Sequence, residues 1–381
     1  MMQPSYDLAA CRADIPLLAS LIPMNNCSQA PQTVRTRAAA ECYLDSWNRH
    51  GMDWEGWIAE VELAKRAFAT LINASPDEIA VFSSVSEATS AVASAIDFSR
   101  RRTVVVTEAE FPTVGHVWLA QARRGARVNW VPVTGGVIDA SDYEDRIDDD
   151  TAIVSACHGY YLNGFLQDLG ALAARAHAHG ALLYVDAYQT LGAVPVDVKA
   201  LNLDFLAAGN LKFLMGVPGV AFLYVRRELI EALEPAVTGW FGRVDPFAFR
   251  VKELDWPNAA RRFDTGTPPL INAYIARAGM ELIATLGVAA IRAWLETLGR
   301  RLIEGGRACG LTLHGTADIS RKTSTTAFVV ADAQAVERAM RQRGIVCAAR
   351  GPVIRLAPHY YNSVRDVDIS LDALASIVRA S

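Results

Sequence analysis

The sequence predicts an α/β protein of three layers: a mostly parallel central sheet between helices, with a smaller C-terminal α/β domain behind it. Three observations carry that expectation. Between residues 78 and 225, short apolar runs alternate with helical stretches, the order of strands joined by right-handed crossovers. The runs are apolar throughout, as in strands covered on both faces. Past a long helical stretch at 270–305, short strand patterns recur between 306 and 381.

In chain order, residues 1–24 form an N-terminal segment expected to pack with the small domain, 25–270 the large domain, and 271–381 a linking helix and the small domain. Asn25–Pro31 is a polar turn cluster, and 32–72 is helical in pattern. Trp47, Trp54 and Trp57 fall there and suit a core or a subunit interface better than a binding wall. Strands are expected at Glu78–Phe82, Thr103–Thr107, Arg127–Val131, Thr151–Ala156, Ala181–Val185, Leu203–Ala208 and Gly219–Val225. A helix at 169–179 closes on Gly180 at its C′ position. In the small domain, strands are expected near Leu311–His314, Ala327–Val330, Ile345–Ala348 and Val353–Leu356.

Composition narrows the function. A net charge of −4 implies no basic face for nucleic acid. The six cysteines lack zinc-type or paired spacing. No signal-peptide pattern and no apolar stretch of transmembrane length is read, so a reduced, cytoplasmic protein without a membrane partner is expected.

The chemistry centres on two residues. Asp186 ends the apolar run Ala181–Val185, and in open α/β sheets ligands bind outside the carboxyl ends of strands. Lys212 lies in Gly209-Asn210-Leu211-Lys212, just after the next run. A lysine amine holds an aldehyde as a Schiff base, and an aspartate pairs with a pyridinium nitrogen. Together they suit pyridoxal phosphate. Ser83–Thr89 opens a helix with small residues, which presents free N–H groups to an anion; Ser84 or Ser86 also serves there as a simple N-cap.

Asp186-Ala187-Tyr188-Gln189, then Asp204-Phe205, then Lys212 to Gly219 resemble the class V aminotransferase family, the fold type I pyridoxal phosphate enzymes that include kynureninases and cysteine desulfurases. The resemblance runs from about residue 25 to 370. It implies that Lys212 carries the cofactor, Asp186 faces its ring nitrogen, and Val85 and Ser86 bind its phosphate. It further implies that Phe111 stacks on the ring, Gln189 reaches the 3-hydroxyl, and Tyr160 and Tyr161 face the 3-hydroxyl or the substrate. Arg355, in Arg355-Leu356-Ala357-Pro358-His359, matches the family's arginine for the substrate α-carboxylate. Asn26 and Ser28 resemble its active-site mouth, and Trp240 its kynureninase tryptophan segment. Thr267, in the Gly-Thr-Pro turn, would reach the phosphate or substrate of a partner subunit, which implies a homodimer with shared sites. His158 reads as a buried, bonded histidine more readily than as a base.

The chain departs from the family at Leu211, where many desulfurases carry histidine and kynureninases often carry tyrosine; Asn210 beside it is expected to replace that polar contact to the cofactor. Cys347 lies in a strand pattern, so persulfide chemistry is disfavoured. The implied activity is a β-lyase on an L-amino acid, kynureninase-like or of C–S type. Transamination and racemisation stay open, as does a catalytically degenerate ligand-binding protein.

Overall fold

A computed structural model describes residues 3–380. A two-residue strand β1 (Ile22–Pro23) precedes the main sheet of β2 (Ile79–Phe82), β3 (Thr103–Thr107), β4 (Arg127–Val131), β5 (Thr151–Cys157), β6 (Leu182–Asp186), β7 (Phe205–Gly209) and β8 (Ala221–Val225). Its order is β2-β8-β7-β6-β5-β3-β4. From β4 to β7 all pairings are parallel, whereas β8 runs antiparallel to both β7 and β2. That one reversed strand comes from the tight connection at 210–220, too short for a helical crossover.

The helices are α1 (Leu8–Ala13), α2 (Val34–His50), α3 (Trp54–Leu71), α4 (Val85–Ala95), α5 (Pro112–Ala120), α6 (Leu169–Ala178), α7 (Arg227–Ile230), α8 (Leu270–Leu286), α9 (Val288–Ala308), α10 (Ala333–Gln342) and α11 (Val364–Ala380). Strand residues sort onto the two sheet faces with a period of two, and so build two cores. Val105, Val154, Leu183, Val185, Leu206 and Phe222 pack with Phe68 of α3, Leu172 of α6 and Ala276 of α8. Val104, Val106, Ile153, Phe205, Ala207 and Leu223 pack with Ala88 and Val92 of α4 and Trp118 of α5. Burying both faces explains why the runs are apolar without alternation. Each fully buried Val, Leu or Phe adds roughly 1.5–3 kcal/mol over leaving it exposed.

The small sheet runs in the order β12 (Ala348–Arg350), β13 (Val353–Leu356), β10 (Thr326–Val329), β9 (Thr312–Leu313). Its Phe328, Ile354 and Leu356 join α9, α10 and α11 in a third core, which also takes Cys11 and Ile15 from the N-terminal segment. β11 (Ile345–Val346) leaves that sheet to pair in parallel with β1, Ile22 facing Ile345. The single strand expected at 345–348 is therefore two, divided at Cys347, because its halves serve different partners.

The long helix expected at 270–305 is also two. Gly287 adopts φ 81 and its N–H bonds the Ile283 and Ala284 carbonyls, a left-handed C-terminal turn that glycine enters at low cost. The axes of α8 and α9 bend by 78° there. α8 packs on α2 and α3, while α9 carries Trp294, Leu298 and Leu302 into the third core. Among the described residues, no single helix is long and apolar enough to cross a membrane.

Candidate active site

The loops after β2, β3, β5, β6 and β7 meet at the carboxyl edge of the main sheet around a cavity of about 310 Å³. That lies in the range of small-molecule sites, about 300–1,000 Å³. Because β8 is reversed, its N-terminal lead-in Pro218-Gly219-Val220 also reaches this edge and closes one wall. Val85, Ser86, Phe111, Tyr161, Asp186, Gln189 and Lys212 all line the cavity, with Ser28, Tyr188 and Leu211 among the others.

Asp186 is the last residue of β6, paired to Cys157 at the end of β5. Its Oδ1 accepts from the Tyr188 N–H at 2.8 Å. Burial raises its carboxyl above the usual range; the Tyr188 amide and the Lys212 ammonium pull it back. Lys212 Nζ sits 4.1 Å from the Tyr188 ring centroid and 5.7 Å from that of Phe111. Burial brings its ammonium down from 10.5 to about 8, against Asp186, which favours the charge. A substantial fraction of neutral amine near physiological pH is what a lysine nucleophile needs.

At the opposite wall, Ser84 caps α4, its hydroxyl accepting from the Glu87 N–H at 3.2 Å. Val85 and Ser86 follow in the first turn, where N–H groups have no intrahelical acceptor. Ser86 Oγ and Thr113 Oγ1 share a hydrogen bond of 2.9 Å. The Glu87 carboxylate accepts from the Ser83 N–H (3.0 Å), the Ser83 hydroxyl (2.6 Å) and the Thr265 hydroxyl (2.8 Å). These bonds tie the anion turn to the segment that leads to Thr267. Phe111 is 45% exposed and meets Tyr161 edge-on at 5.5 Å.

Six predicted residues lie outside the cavity lining. Arg355, on β13, is one layer behind it: its guanidinium donates to the Tyr161 carbonyl (2.7 Å) and the Ser28 hydroxyl (2.9 Å), and its Nε has no partner. Asn26 is a buried strut, donating to the Ala357 carbonyl (2.8 Å) and accepting from the Tyr361 hydroxyl (2.7 Å). Tyr160 is buried edge-on against Tyr161, and burial pushes its hydroxyl up to about 12. Asn210 is buried under the lysine turn, where its main-chain carbonyl accepts from the Gly216 N–H at 2.8 Å and neither atom of its side-chain amide has a partner. Trp240 stands in a separate aromatic patch with Trp54, Phe247 and Phe249, and Thr267 is exposed. His158 bonds Thr190 Oγ1 at 2.9 Å, and burial holds it down to about 4, so it is neutral. Burial pushes the Cys347 thiol up to about 12, so it is no thiolate.

Sequence reasoning passed over Tyr188 and Glu110. Tyr188 lies inside the Asp-Ala-Tyr-Gln segment, but only the fold puts its ring under the lysine. Glu110 is buried behind the cavity, Oε1 accepting from Ser155 Oγ at 3.2 Å and Oε2 without a partner. Burial first, then the Asp186 charge, drives its carboxyl well up.

A mostly parallel sheet that ends in a half-buried lysine, an aspartate and a helix N-terminus facing one cavity defines a fold type I pyridoxal phosphate site. The donor set fits that cofactor: an amine with no carboxylate bonded to it, a carboxylate with an oxygen left over, and an anion turn on the far wall. The chain belongs to the class V aminotransferase family, whose model matches residues 25–381, and is a pyridoxal phosphate-dependent enzyme. It is 38% identical to the uncharacterized aminotransferase YcbU of Bacillus subtilis over 95% of both chains. It is 29% identical to the kynureninase of Pseudomonas fluorescens, covering 91% of this chain and 86% of that one. A probable cysteine desulfurase of Methanothermobacter thermautotrophicus is 30% identical, over 80% of this chain and 74% of that one. In fold, the chain matches the apo cysteine desulfurase of Thermococcus onnurineus NA1 with a TM-score of 0.89 at 23% identity, over the full length of both.

Proposed function

We propose that the enzyme is a β-lyase acting on an L-amino acid, kynureninase-like or of C–S type. The observation that carries this reading is the half-buried Lys212 amine, 4.1 Å from the Tyr188 ring centroid in the cavity that it lines with Asp186. The bound cofactor supplies an electron sink for the carbanion formed at the substrate α-carbon. Lys212 would hold the cofactor and, as a neutral amine, would take up the α-proton at Nζ. Asp186 keeps a proton on the ring nitrogen. The first-turn N–H groups of Val85 and Ser86, with the Ser86 hydroxyl, hold the phosphate. Phe111 would stack on the ring, Tyr161 would face the 3-hydroxyl or the substrate, and Gln189, whose Nε2 donates to the Cys27 carbonyl at 3.1 Å, would turn to the 3-hydroxyl. Arg355 would take the α-carboxylate once its guanidinium exchanges the Ser28 hydroxyl for it. Thr267, outside the cavity lining of its own chain, reaches the site of a second copy in a homodimer, and Trp240 binds substrate, with residues 25–270 as the cofactor domain, 271–381 as the linking helix and small domain, and 1–24 packed with the small domain.

A buried Cys347 without thiolate character speaks against persulfide chemistry. Transamination is the second reading, supported by the aminotransferase name of the 38%-identical Bacillus subtilis relative. The test is product analysis of the cofactor-loaded enzyme with a panel of L-amino acids. A C–S β-lyase releases ammonia, an oxo acid and the thiol fragment, and kynureninase-like hydrolysis of the Cβ–Cγ bond leaves alanine and a carboxylic acid, neither needing an acceptor oxo acid; dependence on an acceptor assigns transamination, and an unreactive visible band with every amino acid overturns both.

A further inference from the structure

The small sheet offers the cavity a second cation. In an antiparallel pair, opposed residues share a face. Ala348 opposes Arg355, and Arg350 opposes Val353, across the two-residue turn at Gly351 and Pro352. Ala349, Ile354 and Leu356 point into the core of α9, α10 and α11. Arg350 and Arg355 therefore both stand on the opposite face. Arg355 proves which way that face looks, because its guanidinium bonds Tyr161 and Ser28 at the cavity. The two arginines are diagonal neighbours, a separation of roughly 7–8 Å at the backbone and well within side-chain reach.

Arg350 is exposed, borders a cleft with Glu337 and Arg338 of α10 beside the cavity, and makes one hydrogen bond, from Nη1 to the Ala349 carbonyl at 3.0 Å. Among the described residues no carboxylate forms an ion pair with it. The positive fields of Arg355 and Arg350 both reach Lys212 and disfavour its ammonium. Asp186 is the sole acidic residue among those lining the cavity. Like charges on diagonal positions repel, so an anion between them is favoured. The cofactor phosphate belongs to the α4 turn and the substrate α-carboxylate to Arg355. Arg350, though Glu337 lines the same cleft, is left without an ion pair among the described residues.

We propose that Arg350 receives a second acidic group on the substrate, so that the enzyme prefers amino acids with an anionic side chain, of the aspartate or glutamate kind, over their neutral amides. This rests on the amino-acid reading above. A guanidinium takes a carboxylate through two parallel hydrogen bonds, which an amide meets only in part.

The experiment titrates the visible band of the cofactor-loaded enzyme with L-aspartate, L-asparagine, L-glutamate and L-glutamine. At least one acid should bind tenfold or more tightly than its amide. In Arg350→Gln that ratio should collapse towards one, through loss on the acid; Arg350→Lys should retain most of it. Absence of any acid preference in the wild type overturns the proposal. So does an Arg350→Gln variant that weakens acid and amide alike, as a merely structural arginine would. A band that no amino acid shifts at all refutes the amino-acid reading itself and takes this proposal with it.

Discussion

Replacing Asp186 with Asn tests the electrostatic heart of the site. Moving an ammonium midpoint from 10.5 to about 8 disfavours the charged form by about 3 kcal/mol. Burial supplies that cost, and Asp186 opposes it more than any other group. A nearby opposite charge shifts such a midpoint by about one to three pH units. Asp186→Asn removes that charge and leaves a side chain of equal size. The Lys212 midpoint should therefore fall by about that amount, towards or below neutrality. The sign is fixed: losing an anion disfavours the ammonium, so the neutral amine persists to lower pH. The assay is the rate at which apoprotein captures added pyridoxal phosphate, followed by the visible band from pH 5 to 10, with Lys212→Ala as the blank. Capture by the wild type should rise through a midpoint near 8 and level off above it. In Asp186→Asn the midpoint should move down, even if the final affinity drops. A midpoint that stays or moves up would refute the claim that Asp186 sustains the lysine charge.

Three further outcomes follow from the same geometry. Glu87→Ala removes the acceptor of three hydrogen bonds to Ser83 and Thr265, two of them from the anion turn itself. Charge-assisted bonds of this kind are worth about 1.5–3 kcal/mol each, so phosphate affinity, measured by equilibrium dialysis of the cofactor, should fall tenfold or more while far-UV circular dichroism is unchanged. Ser84→Ala deletes the α4 cap and should destabilise the protein by about 1 kcal/mol in urea unfolding. Gly216→Ala would place a methyl group 1.7 Å from Asn210 Oδ1 inside a buried turn, so it should abolish soluble expression or lower the thermal midpoint by many degrees, whereas Gly51→Ala, with open space around it, should not do so through a clash.

The sequence reached the large-domain strands to within a residue or two, because each is a fully buried run whose apolar character is local. It also reached the pairing of Asp186 with Lys212, since both sit at fixed offsets from such runs and carry rare chemistry for strand ends. It did not reach the break at Gly287 or the division at Cys347. Leucine, alanine and isoleucine patterns continue across both points, and only the demands of separate partners interrupt them. Arg355 was legible as an arginine in a motif, but its two hydrogen bonds join it to residues 194 and 327 positions away.

Local pattern and side-chain chemistry, then, determined the α/β class, the strand-end aspartate, the lysine turn and the helix that opens on an anion. Tertiary structure alone decided the antiparallel β8 that brings Gly219 and Val220 to the cavity, the Tyr188 ring beneath the amine, the withdrawal of Asn26, Tyr160 and Asn210 into the interior, and the shared face of Arg350 and Arg355. Periodicity reports what one segment buries, whereas register and the docking of two cores depend on which distant surfaces bury one another, and no local window contains that choice.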